Sequence, residues 1–246
     1  MRIIENQEQK LVNGEALNFL QTLPSESIGS LITDNPYSSG GLHRSDRVQK
    51  TSAKYQGTGF KDLYPEFVGD NRDQFSQLAW MNLWLTEAYR ALEVSAYVLL
   101  FSDWRQLPLT CTALQTAGFI QRGIVPWDKT KASRPQKGQF RAQCEYVAWG
   151  TKGPLDAGAK TRPALPGCFT HSPMKGGKYH IAGKPVELMR DLVEIVPPGK
   201  IILDPFMGSG STGVACKGRN PFVGVEITAD NFAVACERLG VNEDAA

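Results

Sequence analysis

Asp34-Asn35-Pro36-Tyr37 closes the apolar run at 28–33 and sets an acid, an amide, a rigid proline and an aromatic ring side by side. Such a tetrapeptide is either a turn or a pocket for a planar amine. In the second reading, the Asp34 carboxylate and the main-chain oxygen of Asn35 accept the two N–H bonds of an exocyclic amino group. Acceptors aimed at those bonds favour a pyramidal nitrogen with a localised lone pair, and they strengthen as positive charge develops on it. Tyr37 offers a stacking face worth about 1–3 kcal/mol in base–aromatic contacts; the alternative is a tyrosine at the edge of a core. Pro36 biases Asn35 toward extended backbone and stiffens the turn.

A second constellation stands far down the chain. DPFMGSGSTGVA, 204–215, follows the apolar IIL and precedes a helical pattern. Gly208 and Gly210 let the backbone turn tightly and approach a ligand, while Ser211 or Thr212 is placed to cap the helix. Glu226 ends the next strand, where an acid accepts hydrogen bonds from ribose hydroxyls. Gly208, Gly210 and Gly213 satisfy the G-x-G-x-x-G spacing of a dinucleotide site. Asp204 beside them disfavours a bare pyrophosphate and favours a cationic, hydroxylated ligand. S-adenosylmethionine, with its ammonium, sulfonium and ribose, matches that polarity; a purely structural Asp204 is the other reading.

The elements that must hold these groups show in the periodicity. Strands are expected at 28–33, 95–101, 120–127, 144–150, 200–204 and 221–226, the third and fourth paired antiparallel. Helices are expected at 74–93, at 111–119 with a stop near Gly118, at 184–196 with a stop at Pro197-Pro198-Gly199, and at 230–240. The alternation implies an α/β fold of Rossmann-like type: a mostly parallel seven-stranded sheet with an antiparallel edge hairpin and helices on both faces.

The 246 residues, 41% hydrophobic and 21% charged, suit one domain spanning 1–246 with a core of its own. Five cysteines without CxxC spacing read as reduced intracellular thiols, and three histidines (His43, His171, His180) argue against a metal site. The N-terminus has no signal-peptide pattern and no stretch approaches the ~20 apolar residues of a membrane span, so a cytoplasmic protein is expected. The net charge of +2 is too small to advertise nucleic acid globally, but it is unevenly spread. Three segments, 38–61, 129–141 and 152–184, hold sixteen of the 27 Lys and Arg residues and two of the 25 Asp and Glu. Loops of that composition neutralise phosphates, so a polyanionic substrate is expected.

In combination these residues resemble the amino DNA methyltransferases of the β group, with DNPY first and DPFMGSGSTG last. The resemblance extends through LVNGEALNFLQTLP at 11–24, MNLWLTEAYRALEVSAYVLLFSD and HIAGKPVELM at 180–189. It implies methyl transfer from S-adenosylmethionine to the N6 of a flipped-out adenine in DNA. Asp34, Asn35, Pro36 and Tyr37 would be catalytic. Asp204, Phe206, Gly208, Gly210, Thr212 and Glu226 would form the cofactor pocket, together with Glu15 of NGEAL, where the family has Asp, and His180, Lys184 and Pro185 of the KP motif. Asn35 departs from the usual DPPY. DNA contacts are expected from basic insertions at about 38–73, 129–141 and 152–180, chiefly Arg44, Arg47, Lys50, Lys54, Lys131, Arg134, Lys137 and Arg141.

Other readings stand beside this one. Aspartate at the first position favours adenine, because N4-cytosine enzymes of this kind more often begin with serine. A catalytically silent DNA-binding relative would explain Asn35 and Glu15. Methylation of a protein glutamine would use a related motif in the opposite order. No large recognition domain fits between 150 and 180, so base reading falls to short loops or to a homodimer, with a short or relaxed target sequence. A phage or orphan enzyme and a restriction-modification partner are equally compatible.

Overall fold

A computed structural model of the chain describes residues 1–38, 72–132, 137–173 and 183–242. At its centre lie β3 (Ile28–Thr33), buried along its whole length, and β4 (Leu92–Ser102). Successive residues on them serve two different cores: Leu31, Val98 and Leu100 one, Ile32, Leu99 and Phe101 the other. Strands that are apolar on both faces belong in the middle of a sheet with helices on each side.

Nine strands form that sheet among the described residues. In order they are β1 (Arg2–Glu5), β2 (Gln9–Asn13), β9 (Phe222–Glu226), β8 (Ile202–Asp204), β3, β4, β6 (Cys144–Thr151), β5 (Ile120–Asp128) and β7 (Phe169–Thr170). From β2 to β4 all neighbours are parallel, β1 is antiparallel to β2, and β6 is antiparallel to both β4 and β5. Nine replaces the seven expected. β1, β2 and β7 escape the periodicity because β1 is exposed at three of its four positions and β7 has two residues.

Among the described residues, three helices cover each face. On one side, α1 (Ala16–Thr22), α2 (Gln74–Ala91) and α3 (Leu107–Thr116) deliver Phe19, Leu20, Met81, Trp84, Leu85 and Leu114. On the other, α4 (Val186–Val193), α5 (Ser211–Cys216) and α6 (Ala229–Leu239) deliver Leu188, Leu192, Phe232 and Leu239. Asp73 starts α2 by accepting from the Phe75 and Ser76 amides at 3.0 and 2.9 Å. That helix stops two residues short of expectation, since β4 begins at Leu92. α3 starts four residues early, with Pro108 in its first turn, where a missing N–H is harmless. No described helix is long and apolar enough to cross a membrane.

The parallel strands direct their carboxyl ends to one edge of the sheet, where open α/β sheets bind ligands. Glu15 follows β2, Glu226 ends β9, Asp204 ends β8, Asp34 follows β3 and Asp103 follows β4. The antiparallel β6 starts at this edge and brings Glu145 to it, Tyr146 being paired with Ser102 at the end of β4.

Candidate active site

The loop after β3 is held by two buried glutamines. Gln77, on the core-facing stripe of α2, donates Nε2 to the Pro36 carbonyl at 2.7 Å and accepts from Ser38 Oγ at 3.2 Å. Gln106, just before α3, donates to the Ser38 carbonyl at 3.2 Å. Ser38 adopts φ +56°, a left-handed conformation that a non-glycine residue keeps only when its surroundings impose it. Asn35 is 1% exposed and its Nδ2 also reaches the Pro36 carbonyl, at 3.3 Å. No donor among the described residues is bonded to the Asn35 carbonyl. The tetrapeptide is therefore a braced loop with that carbonyl available as an acceptor.

A charge cluster surrounds its acid. Lys184 Nζ lies 2.6 Å from Asp34 Oδ2 and 3.3 Å from Glu145 Oε2, and sits over the rings of Phe101 and Tyr37 at 5.2 and 5.8 Å. Glu145 also takes Lys129 at 3.1 Å and the Tyr37 hydroxyl at 3.4 Å. Burial pushes the Glu145 carboxyl up, but Lys184 and then Lys129 outweigh it and hold the group below its ordinary value. Burial pulls Lys184 down, while Asp34 and Glu145 together raise it above the ordinary lysine value. A permanent cation thus stands between two carboxylates, and an ionised carboxylate has about four lone-pair sites, so Asp34 can hold Lys184 and still accept from an amine.

The glycine turn lies next door. Gly208 and Gly210 have φ of +53° and +80°, which favours residues without Cβ. Neither Ser211 nor Thr212 caps α5, contrary to expectation: its N-cap is Gly210, with no side-chain cap. Thr212 Oγ1 donates instead to Asp204 Oδ2 at 2.5 Å, and Asp204 Oδ1 accepts from Thr33 Oγ1 at 2.6 Å and from the Phe206 amide at 3.1 Å. Asp204 therefore ties β3, the turn and α5 together. Burial raises its carboxyl to about 6 against the three donors, with Asp34 adding to the rise.

Glu226 braces the other side of the turn. Its Oε1 takes the Thr228 amide and hydroxyl at 2.8 and 2.6 Å, and its Oε2 takes the Gly208 amide at 3.1 Å. With two acceptor sites per oxygen, Oε2 keeps one for a ligand hydroxyl. Among the described residues, its chain neighbours aside, no heavy atom lies within 4 Å of where a Gly208 side chain would begin, so that side of the turn is open to them. These features fit a ribose-bearing, cationic ligand. Glu15 caps α1 by accepting from the Asn18 amide at 2.8 Å, next to Asn13, which pairs with Glu226. Phe206 packs between Trp80 and Trp84, at ring distances of 5.3 and 5.1 Å.

The other expected residues divide. Pro185 is the N-cap of α4, while Lys184, expected on the cofactor side, reaches Asp34. Lys131, Lys137 and Arg141 lie at the end of the β5–β6 hairpin, on the site's edge of the sheet. Lys152 is bound at the opposite edge to the Leu92 carbonyl, and Arg162 to Asp156 and the Tyr97 hydroxyl. His180, Arg44, Arg47, Lys50, Lys54 and Arg134 lie outside the described residues. Glu145, Gln77 and Gln106 were not expected, and Lys129 was expected only as one cation of the basic segment 129–141. Gln77 had a signal, being a polar residue on the apolar stripe Met81–Trp84–Leu85–Ala88; Glu145 and Gln106 had none.

Comparison with known proteins places the chain in a family and its fold among solved structures. Residues 30–237 match the N6_N4_Mtase family, described as DNA methylase. The "Putative methylase YubD" of Escherichia coli (strain K12) is 27% identical over 241 residues, covering 94% of this chain and 89% of the relative. Among solved structures, the M1.HpyAVI-SAM complex superposes with a TM-score of 0.66 at 22% identity, covering 94% of this chain and 98% of the other. The cytosine-N4-specific PvuII DNA methyltransferase does so at 0.70 and 14% identity, covering 98% and 89%.

Proposed function

The chain belongs to the N6/N4 DNA methylase family, and from that premise we propose that it methylates the exocyclic N6 of an adenine flipped out of DNA, with S-adenosylmethionine as methyl donor. The observation that carries the reading is the braced loop at the end of β3, which offers the Asp34 carboxylate and the Asn35 carbonyl beside a glycine turn joined to it by the Thr33–Asp204 hydrogen bond.

The target ring stacks on Tyr37, whose hydroxyl is steadied by Glu145. Asp34 accepts one N–H of the amine and the Asn35 main-chain oxygen the other, so the nitrogen lone pair leaves conjugation with the ring and points away from both acceptors. Lys184 holds the Asp34 carboxylate in place from 2.6 Å, and the acceptors strengthen as the nitrogen becomes positive. Glu226 would hold the ribose of the cofactor, Gly208 would allow its close approach, and Asp204 would hold the turn in shape. The bound cofactor supplies an electrophilic methyl group on a sulfonium. Lys131, Lys137 and Arg141 would contact phosphates.

Asp34 at the first position supports adenine over cytosine. The test is expression in a methylase-free host, single-base methylation sequencing, and mass analysis of the nucleosides. N6-methyladenine that disappears with Asp34→Ala is the expected product. N4-methylcytosine would overturn the adenine assignment alone, and unmodified DNA from a folded, cofactor-binding protein would point to a silent relative.

A further inference from the structure

Phe140 is completely exposed (100%), beside Arg141 and three residues after Lys137. Single apolar residues on a surface are ordinary, but this one is distinguished by its support and its neighbours. The stem below it is braced: the Lys129 amide donates to the Gln143 carbonyl at 2.9 Å, Gln143 Nε2 to Asp128 Oδ1 at 2.7 Å, and Arg141 Nη1 to the Lys131 carbonyl at 2.5 Å. The sequence from Lys129 to Arg141 contains five cations and no acid, a composition complementary to phosphates. At its root the same hairpin enters the amine pocket, through Lys129 and Glu145. Phe140 and Glu145 are five positions apart, so their Cα atoms are at most about 18 Å apart. That span is comparable with the ~12 Å width of a DNA major groove.

We propose that Phe140 is a wedge that enters the base stack where the target base has left it, while Tyr37 holds that base in the pocket. The inference rests on the DNA methyltransferase reading. Apolar side chains inserted between base steps are a known way to stabilise a disrupted duplex, and a fully exposed ring has no packing role whose loss would imitate this one.

The test compares wild type, Phe140→Ala and Phe140→Trp in single-turnover methylation of two oligonucleotide duplexes carrying the mapped target sequence. One is fully paired, and in the other the target base faces a mismatch and is already loosened. Phe140→Ala should be slower on the paired duplex by roughly 5- to 150-fold, the range of one lost base–aromatic stack. It should approach wild type on the mismatched duplex, and Phe140→Trp should retain the rate on both. Equal rates for Phe140→Ala and wild type on paired DNA would overturn the wedge. So would an equal loss on both duplexes, which marks a plain DNA contact, or a change from dimer to monomer, which marks an interface between copies. If wild type methylates no DNA at all, the methyltransferase reading fails and takes the wedge with it.

Discussion

Replacing Lys184 by methionine keeps most of the stem and removes the charge between two acids. The ammonium side chain is 7% exposed and lies 2.6 Å from Asp34 and 3.3 Å from Glu145. At an effective dielectric near 20, those separations correspond to about 6 and about 5 kcal/mol of direct attraction. Desolvation of the lysine offsets much of this, and removing one partner from a buried charged group costs about 3–5 kcal/mol net. The cost must depend on pH. In wild type, burial raises Glu145 but Lys184 and Lys129 hold it low, so its contribution is present above the unfolded carboxylate value and fades only as pH falls through the lower folded value. Without Lys184, burial acts on Glu145 with only Lys129 to oppose it, so that acid holds a proton to higher pH and the variant loses stability as pH rises. Urea unfolding should therefore show the gap between Lys184→Met and wild type widening from about pH 5 to about pH 8. Adding Glu145→Gln should recover a substantial part of it, since the two sites are directly coupled. An equal gap at both pH values, or a double variant no more stable than Lys184→Met, would refute the electrostatic account.

Two further predictions follow from groups around the same edge. Gln77→Leu removes the closer of the two donors to the Pro36 carbonyl and an acceptor for Ser38 Oγ; it should cost about 1–3 kcal/mol in urea unfolding and lower kcat for methyl transfer more than it raises KM for S-adenosylmethionine, because the loop and not the cofactor turn is loosened. Asp204, raised to about 6 by burial, favours its protonated form when folded, so its contribution should be greatest below the ordinary carboxylate value and decline by about 3 kcal/mol as pH rises through 6. The melting-temperature difference between wild type and Asp204→Asn, followed from acid to neutral pH, reads that decline; a difference constant with pH would count against it.

Much of this protein was legible in the linear order of its residues. Buried strands at 28–33 and 221–226 and the stop at Gly118 follow from local patterns, as do the positive φ angles at Gly208 and Gly210, because each depends on a few neighbouring residues. The motifs at strand ends were equally plain, since an acid with a proline one or two residues later, after an apolar run, marks where a strand stops and a site can begin.

The environment of those motifs was decided elsewhere. Lys184 meets Asp34 across 150 residues, and Glu145 reaches Tyr37 across 108; both meetings require the strand order β8-β3-β4-β6 and the pairing of Ser102 with Tyr146. Thr212 turns from the expected cap to Asp204 because Asp204 is buried beneath it and needs a donor more than an open helix end does. A sequence specifies which groups are present and their local backbone geometry. Which charges face one another, and so how each titrates, depends on burial and separations of a few ångströms that exist only once the sheet has assembled.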